Sequence, residues 1–168
     1  EGDVHPDGNP HFYLDPLRIG KAAEIVATRL GELDPVHAAD FARRAKEIGD
    51  RLRKKSDDWA ARLRKSGVKK VVTFHKTFTY FFDRFGLENP ATLEPKPGIP
   101  PTGAHIIEVI ELMKKQKVPL ILVENYFDAS VTKKITEDVP ASRAASVAVN
   151  VGGEPGIKTN EDLRSEEH

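Results

Sequence analysis

The chain predicts an α/β fold: a long connecting helix followed by a C-terminal lobe with a parallel, about four-stranded sheet flanked by helices. Three observations carry that expectation. From residue 68 onward, short β-branched or apolar runs alternate with amphipathic helical segments, the pattern of parallel strands covered on both faces. Before them, Val36 to about Arg64 contains no proline and one glycine and is dominated by Ala, Arg, Lys, Glu and Leu, enough for a helix roughly 45 Å long. The apolar share of 39% and charged share of 31% belong to a globular chain.

The elements follow in order. Glu1 to Pro16 is rich in turn formers, and Pro6, Gly8 and Pro10 forbid a regular helix, so it is expected as a loop. Asp15-Pro16 then reads as an N-cap followed by proline in the first helical turn. Leu17, Ala22, Ile25, Val26 and Leu30 follow at helical spacing, with Gly31 as the expected stop. Asp34-Pro35 repeats the start signal for the long helix. Its narrow stripe of Phe41, Ala45, Ile48, Leu52, Trp59 and Leu63 suits a strut better than a core helix.

Val68 to Phe74 is strand-like, Thr77 to Phe85 helical and closed by Gly86, and Ala91 to Glu94 a short strand. A Pro/Gly loop from Lys96 to Gly103 leads into the amphipathic helix Ala104 to Lys117. Pro119 to Val123 is a buried-type strand, Ala129 to Val139 a helix and Ala145 to Val151 another strand. Thr159 to Asp162 has the pattern of a helix start, with little sequence left to continue it. The organisation expected is a remnant of an N-terminal lobe over 1–33, the connecting helix over 34–66 and the α/β lobe over 67–168.

Composition narrows the chemistry. The 26 basic and 26 acidic residues cancel, so no strong attraction to nucleic acid is indicated. No apolar run approaches the roughly 18 residues of a membrane-spanning helix. With no cysteine, disulfides, thiolate metal sites and cysteine nucleophiles are excluded. The chain starts Glu-Gly-Asp without Met or a signal sequence, the expectation for a processed protein or a fragment. No Gly-x-Ser-x-Gly, phosphate-binding glycine loop or His-Glu-x-x-His occurs.

In a parallel sheet, ligands bind beyond the carboxyl ends of the strands. His75 directly follows one strand run, Glu124 and Asn125 follow another, and Asn150 lies near the end of a third. A histidine taken alone has an ordinary structural reading as a hydrogen-bonded ring, and His5 and His11 as solvent-facing loop residues. His37, His105 and His168 carry no signal. Imidazole and carboxylate donors without thiolate nevertheless suit zinc, manganese, iron or nickel.

The motifs taken together resemble a known family. His-Pro-Asp-Gly-Asn-Pro-His-Phe-Tyr-Leu-Asp-Pro (His5 to Pro16) is similar to the Asn-Pro-His-x-Trp-Leu-Asp-Pro signature of the cluster A-I solute-binding proteins, which serve bacterial zinc and manganese ABC transporters. Glu32-Leu-Asp-Pro35, Thr73-Phe-His-Lys-Thr-Phe-Thr-Tyr-Phe81 and the Pro95 to Gly103 loop continue the match in order.

The resemblance implies two α/β lobes joined by one helix, with a metal between them and a ligand pair from each lobe. His11 matches the second ligand of the N-terminal lobe and His75 the first of the C-terminal lobe. A histidine at position 75 favours zinc over manganese. Two departures stand out: the early ligand of the N-terminal lobe has no counterpart, and no aspartate lies near Val149-Asn150 where the last is expected. Glu124 or His5 is left to complete the shell.

The implied function is capture of a divalent metal, zinc first, and delivery to an ABC transporter permease, without catalysis. The implied location is periplasmic or extracellular, with a lipid anchor in the full-length protein. Binding by this chain is expected to be weak unless two chains pair. A metal-dependent hydrolase using Glu124 as general base, and an adhesin-like lipoprotein domain with relic histidines, are the alternatives.

Overall fold

A computed structural model describes residues 8–96, 98–159 and 161–162. The chain forms two compact units, Phe12–Gly67 and Glu1–His11 together with Val68–His168.

The first unit is a helical hairpin. A 3-10 turn over His11–Leu14 leads into α1, Pro16–Leu33, and a second over Pro35–His37 leads into α2, Ala38–Ser66. Asp15, fully buried, caps α1 as its sequence implies, accepting from the Leu17 amide at 2.9 Å and the Arg18 amide at 3.4 Å. Gly31 does not stop the helix, which runs on to Leu33. A Cβ at Gly31 would stand 3.0 Å from the Ala38 Cβ, and one at Gly20 would stand 3.3 Å from the Gly49 Cα. Those pairings run in opposite chain directions, so the helices are antiparallel and the two α1 glycines mark close backbone approach. The expected boundary at 33/34 therefore falls inside one packed unit. Gly67, at φ +73°, closes α2 in the left-handed conformation that spares glycine a Cβ clash.

The second unit is built on a three-stranded parallel sheet in the order β1 (Val71–Thr73), β2 (Leu120–Glu124), β3 (Arg143–Val147). Val72 pairs with Ile121, and Ile121 with Ala144. The expected fourth strand, Ala91 to Glu94, lies along the free edge of β1. It joins there through a single parallel bridge, Thr73 to Thr92, with the Leu93 amide donating to the Thr73 carbonyl at 2.8 Å. Pro90 and Pro95 bracket this ribbon and carry no N–H, which limits the ladder.

β3 begins at Arg143, two residues before the expected Ala145, and ends at Val147 instead of Val151. Its ladder starts where the Arg143 amide donates to the Pro119 carbonyl at 3.0 Å, irrespective of side-chain character. Residues 143–147 are exposed or half-buried, as in an outer strand, whereas the apolar Ala148 and Val149 are buried past its end.

Three helices cover this sheet. The 3-10 turn Lys76–Phe78 continues into α3, Thr79–Phe85, while α4 is Gly103–Gln116 and α5 is Ser130–Asp138. Val109, Ile110 and Met113 of α4 and Ile135 of α5 meet Val72, Leu93, Ile121 and Val123 in a single buried cluster. At the chain's far end, Thr159 and Asp162 form the expected reciprocal pair. The Asp162 carboxylate accepts from the Thr159 amide at 2.7 Å, and the Thr159 hydroxyl accepts from the Asp162 amide at 3.2 Å.

Candidate metal centre

The parallel register sets the carboxyl ends of β1 and β2 side by side, since Thr73 faces Leu122. His75 lies two residues beyond β1, in extended conformation at the start of the turn that becomes α3, and is 8% exposed. Glu124 is the last residue of β2. His11 comes from a chain segment 64 positions earlier, yet its ring centre lies 5.5 Å from that of His75, edge to face.

That spacing has a chemical meaning. An imidazole nitrogen about 2.0–2.1 Å from zinc puts the ring centre roughly 3.2 Å from the ion, so two rings at a tetrahedral angle stand roughly 5.2 Å apart. The observed separation is within a few tenths of an ångström of that value. The rings meet the distance condition for sharing one ion.

Each ring is held at Nδ1 by an oxygen. His11 Nδ1 lies 2.6 Å from Asn9 Oδ1, which also accepts from the His11 backbone amide at 2.9 Å. The Asn9 amide nitrogen donates to the Lys76 carbonyl at 3.1 Å and to the Thr79 hydroxyl at 3.2 Å. On the other side, His75 Nδ1 is hydrogen-bonded to Glu94 Oε2, and Glu94 Oε1 accepts from the Gly98 amide. Phe127, stacked on Phe74 at 4.4 Å between centres, stands 6.3 Å from the His75 ring as an apolar wall.

Glu124 is 0% exposed, and among the described residues neither carboxylate oxygen has a hydrogen-bond partner; the hydroxyl of nearby Thr77 is likewise buried and without a partner among them. Burial pushes the Glu124 carboxyl above its ordinary value, while the polar Thr77 side chain and the neighbouring His75 pull the other way. A buried carboxylate with both oxygens unsatisfied is a group that a cation would stabilise. Its chemistry fits a metal. Among the described residues, however, no three His, Asp or Glu side chains converge tightly enough to hold an ion. The structure brings His11 and His75 together and places Glu124 near His75, without closing the three into one cluster.

The family profile for zinc-uptake complex component A, periplasmic (ZnuA), matches residues 1–162. The chain belongs to the ZnuA family.

Three individual proteins are similar to this chain. The high-affinity zinc uptake system protein ZnuA of Brucella abortus (strain 2308) is 30% identical over 131 residues, 78% of this chain and 39% of that protein. A mutant of the laminin-binding adhesin Lmb of Streptococcus agalactiae superposes with a TM-score of 0.82 at 25% identity, covering 98% of this chain and 64% of that one. The solute-binding protein FpvC of Pseudomonas aeruginosa, in complex with Mn2+, superposes at 0.76 with 28% identity, covering 94% and 58%. The chain thus spans less than two thirds of the length of these relatives.

The remaining candidates of this ZnuA-family chain that the structure describes make local contacts. Asn125 donates to the Gly153 carbonyl at 2.9 Å and ties down the turn that follows β3, and Asn150 begins that turn three residues beyond the strand. The ring of His105 reaches the Thr92 carbonyl at 2.8 Å, fastening α4 to the edge ribbon, and His37 pairs with Asp34 at 2.7 Å. His5 and His168 lie outside the described residues.

Asn9, Glu94 and Thr77 do not stand out in the sequence as site residues. Asn9 carried a local signal, an amide two positions before a histidine that can fold back on it. Glu94 carried none, because its partner is 19 residues away across an edge ribbon.

Proposed function

We propose that this chain is the metal-holding part of a solute-binding protein that captures a divalent ion, zinc first, and passes it to an ABC permease on the outer side of the cytoplasmic membrane. The observation that carries the reading is the approach of His11 and His75 from distant segments to a separation suited to one ion. Two nitrogen donors and a hard carboxylate at Glu124 make a set that accepts zinc and also tolerates manganese or nickel. Manganese- and nickel-bound structures of FpvC, a relative at 28% identity, support that breadth.

The function is binding and release, with no bond made or broken in the cargo. Affinity comes from preorganised donors and falls on acidification, because protons compete with the metal for both imidazoles.

Calorimetric titration of the 168-residue chain with zinc tests the proposal. One ion per chain, bound much more weakly in His75→Ala and in His11→Ala, is the expected result. Zinc binding unchanged by both substitutions would overturn the assignment.

A further inference from the structure

We propose that Asn9 and Glu94 are positioning residues that hold the proton of each site histidine on Nδ1, so that His11 and His75 both present Nε2 as the metal-binding atom. The inference rests on the metal-binding reading above and adds two residues to it.

The hydrogen-bond network determines the tautomers. A backbone N–H can only donate and a backbone carbonyl can only accept. Asn9 receives the His11 amide on its oxygen and sends its nitrogen to the Lys76 carbonyl, so the amide cannot be turned the other way round. Its oxygen is therefore an acceptor, and His11 Nδ1, 2.6 Å from it, must be the donor. His75 Nδ1 likewise faces a carboxylate oxygen, which accepts. With the proton on Nδ1, the lone pair of each ring sits on Nε2.

The same two residues set the position of the rings. Asn9 donates to Lys76 and Thr79, one and four residues after His75, so one side chain ties the His11 segment to the His75 turn. Glu94 is 8% exposed and is itself fixed by the Gly98 amide, which anchors it between the ring and the Pro/Gly loop. Oxygens that orient ligand imidazoles in this way typically carry 10–100-fold of a site's metal affinity.

The test is nitrogen-15 NMR of the histidine rings in the metal-free chain at pH 8, with zinc affinity as a second readout. Both rings should show Nδ1–H in the wild-type chain. Asn9→Ala should move His11 to mainly Nε2–H with His75 unchanged, and Asn9→Asp, which keeps the oxygen, should retain Nδ1–H. Glu94→Ala should release His75 in the same way. Glu94→Gln preserves the shape should the alanine variant fail to fold, and should move His75 toward Nε2–H, because the Gly98 N–H keeps the amide oxygen and the amide nitrogen then donates to the ring.

Zinc affinity should fall about 10–100-fold in Asn9→Ala, and this loss should vanish in a His11→Ala background. Nε2–H on either ring of the wild-type chain would overturn the proposal, as would an Asn9→Ala chain with unchanged tautomer. Absence of zinc binding by the wild-type chain would instead refute the functional reading, while the metal-free spectra still decide this one.

Discussion

Replacing Glu124 by glutamine separates the energetics of its buried carboxyl from its role toward metal. Both side chains have nearly the same shape, and both leave polar atoms unpartnered at a position with 0% exposure, a cost of about 1–3 kcal/mol common to the two. They differ in charge. The folded carboxyl titrates above its ordinary value of 4.5 because burial penalises the ionised form. Below that ordinary value both folded and unfolded chains hold the proton, and the two proteins should be similarly stable.

As the pH rises from 4.5 through the folded value, the unfolded chain loses its proton first. The wild type then loses stability with a slope of at most about 1.4 kcal/mol per pH unit, while Glu124→Gln does not.

Urea unfolding in chelator from pH 4 to pH 8 should therefore show the glutamine variant gaining on the wild type as pH rises, then levelling off. Zinc should reverse the order. At a hundredfold excess over its dissociation constant a ligand adds about 2.7 kcal/mol, and the wild type should take the larger share. A stability difference that stays flat across the pH range would refute the burial argument. Equal zinc stabilisation of both proteins would remove Glu124 from the ligand set.

Other substitutions probe the remaining links. In a double-mutant cycle on zinc affinity, His11→Ala and His75→Ala should be strongly non-additive, the pair costing little more than the worse single change; additive losses would mean separate sites. Gly20→Leu should cost about 1–3 kcal/mol in denaturant unfolding, because its side chain meets the α2 backbone at Gly49. Gly49→Ala should be neutral or gain up to about 1 kcal/mol, since a Cβ there meets nothing within 4 Å and alanine is the better helix former. Met113→Ala, at 0% exposure in the cluster between α4 and the sheet, should cost about 2–5 kcal/mol by the same measurement.

The sequence by itself determined the parts governed by local chemistry. Asp15-Pro16 specified a helix start that the structure reproduces with the expected cap. The proline-free run, with Gly49 its one glycine, produced the 29-residue α2, and Thr159 with Asp162 closed on each other as their spacing requires. His75 and Glu124 were legible as strand-end residues because apolar runs announce buried parallel strands. What local patterns could not decide is which groups meet.

Gly31 looks like a helix stop until Ala38 is seen packed against it, and Arg143 does not look like a strand start until Pro119 supplies its acceptor. The approach of His11 to His75, the grip of Asn9 across to Lys76 and the pairing of Glu94 with His75 join segments 19 to 70 positions apart in the chain. Caps and periodicity act within a turn or two of backbone, so they are written in the sequence. Ligand spacing and imidazole tautomer depend on distances fixed only when the sheet and its turns have closed, so they were decided by the tertiary structure.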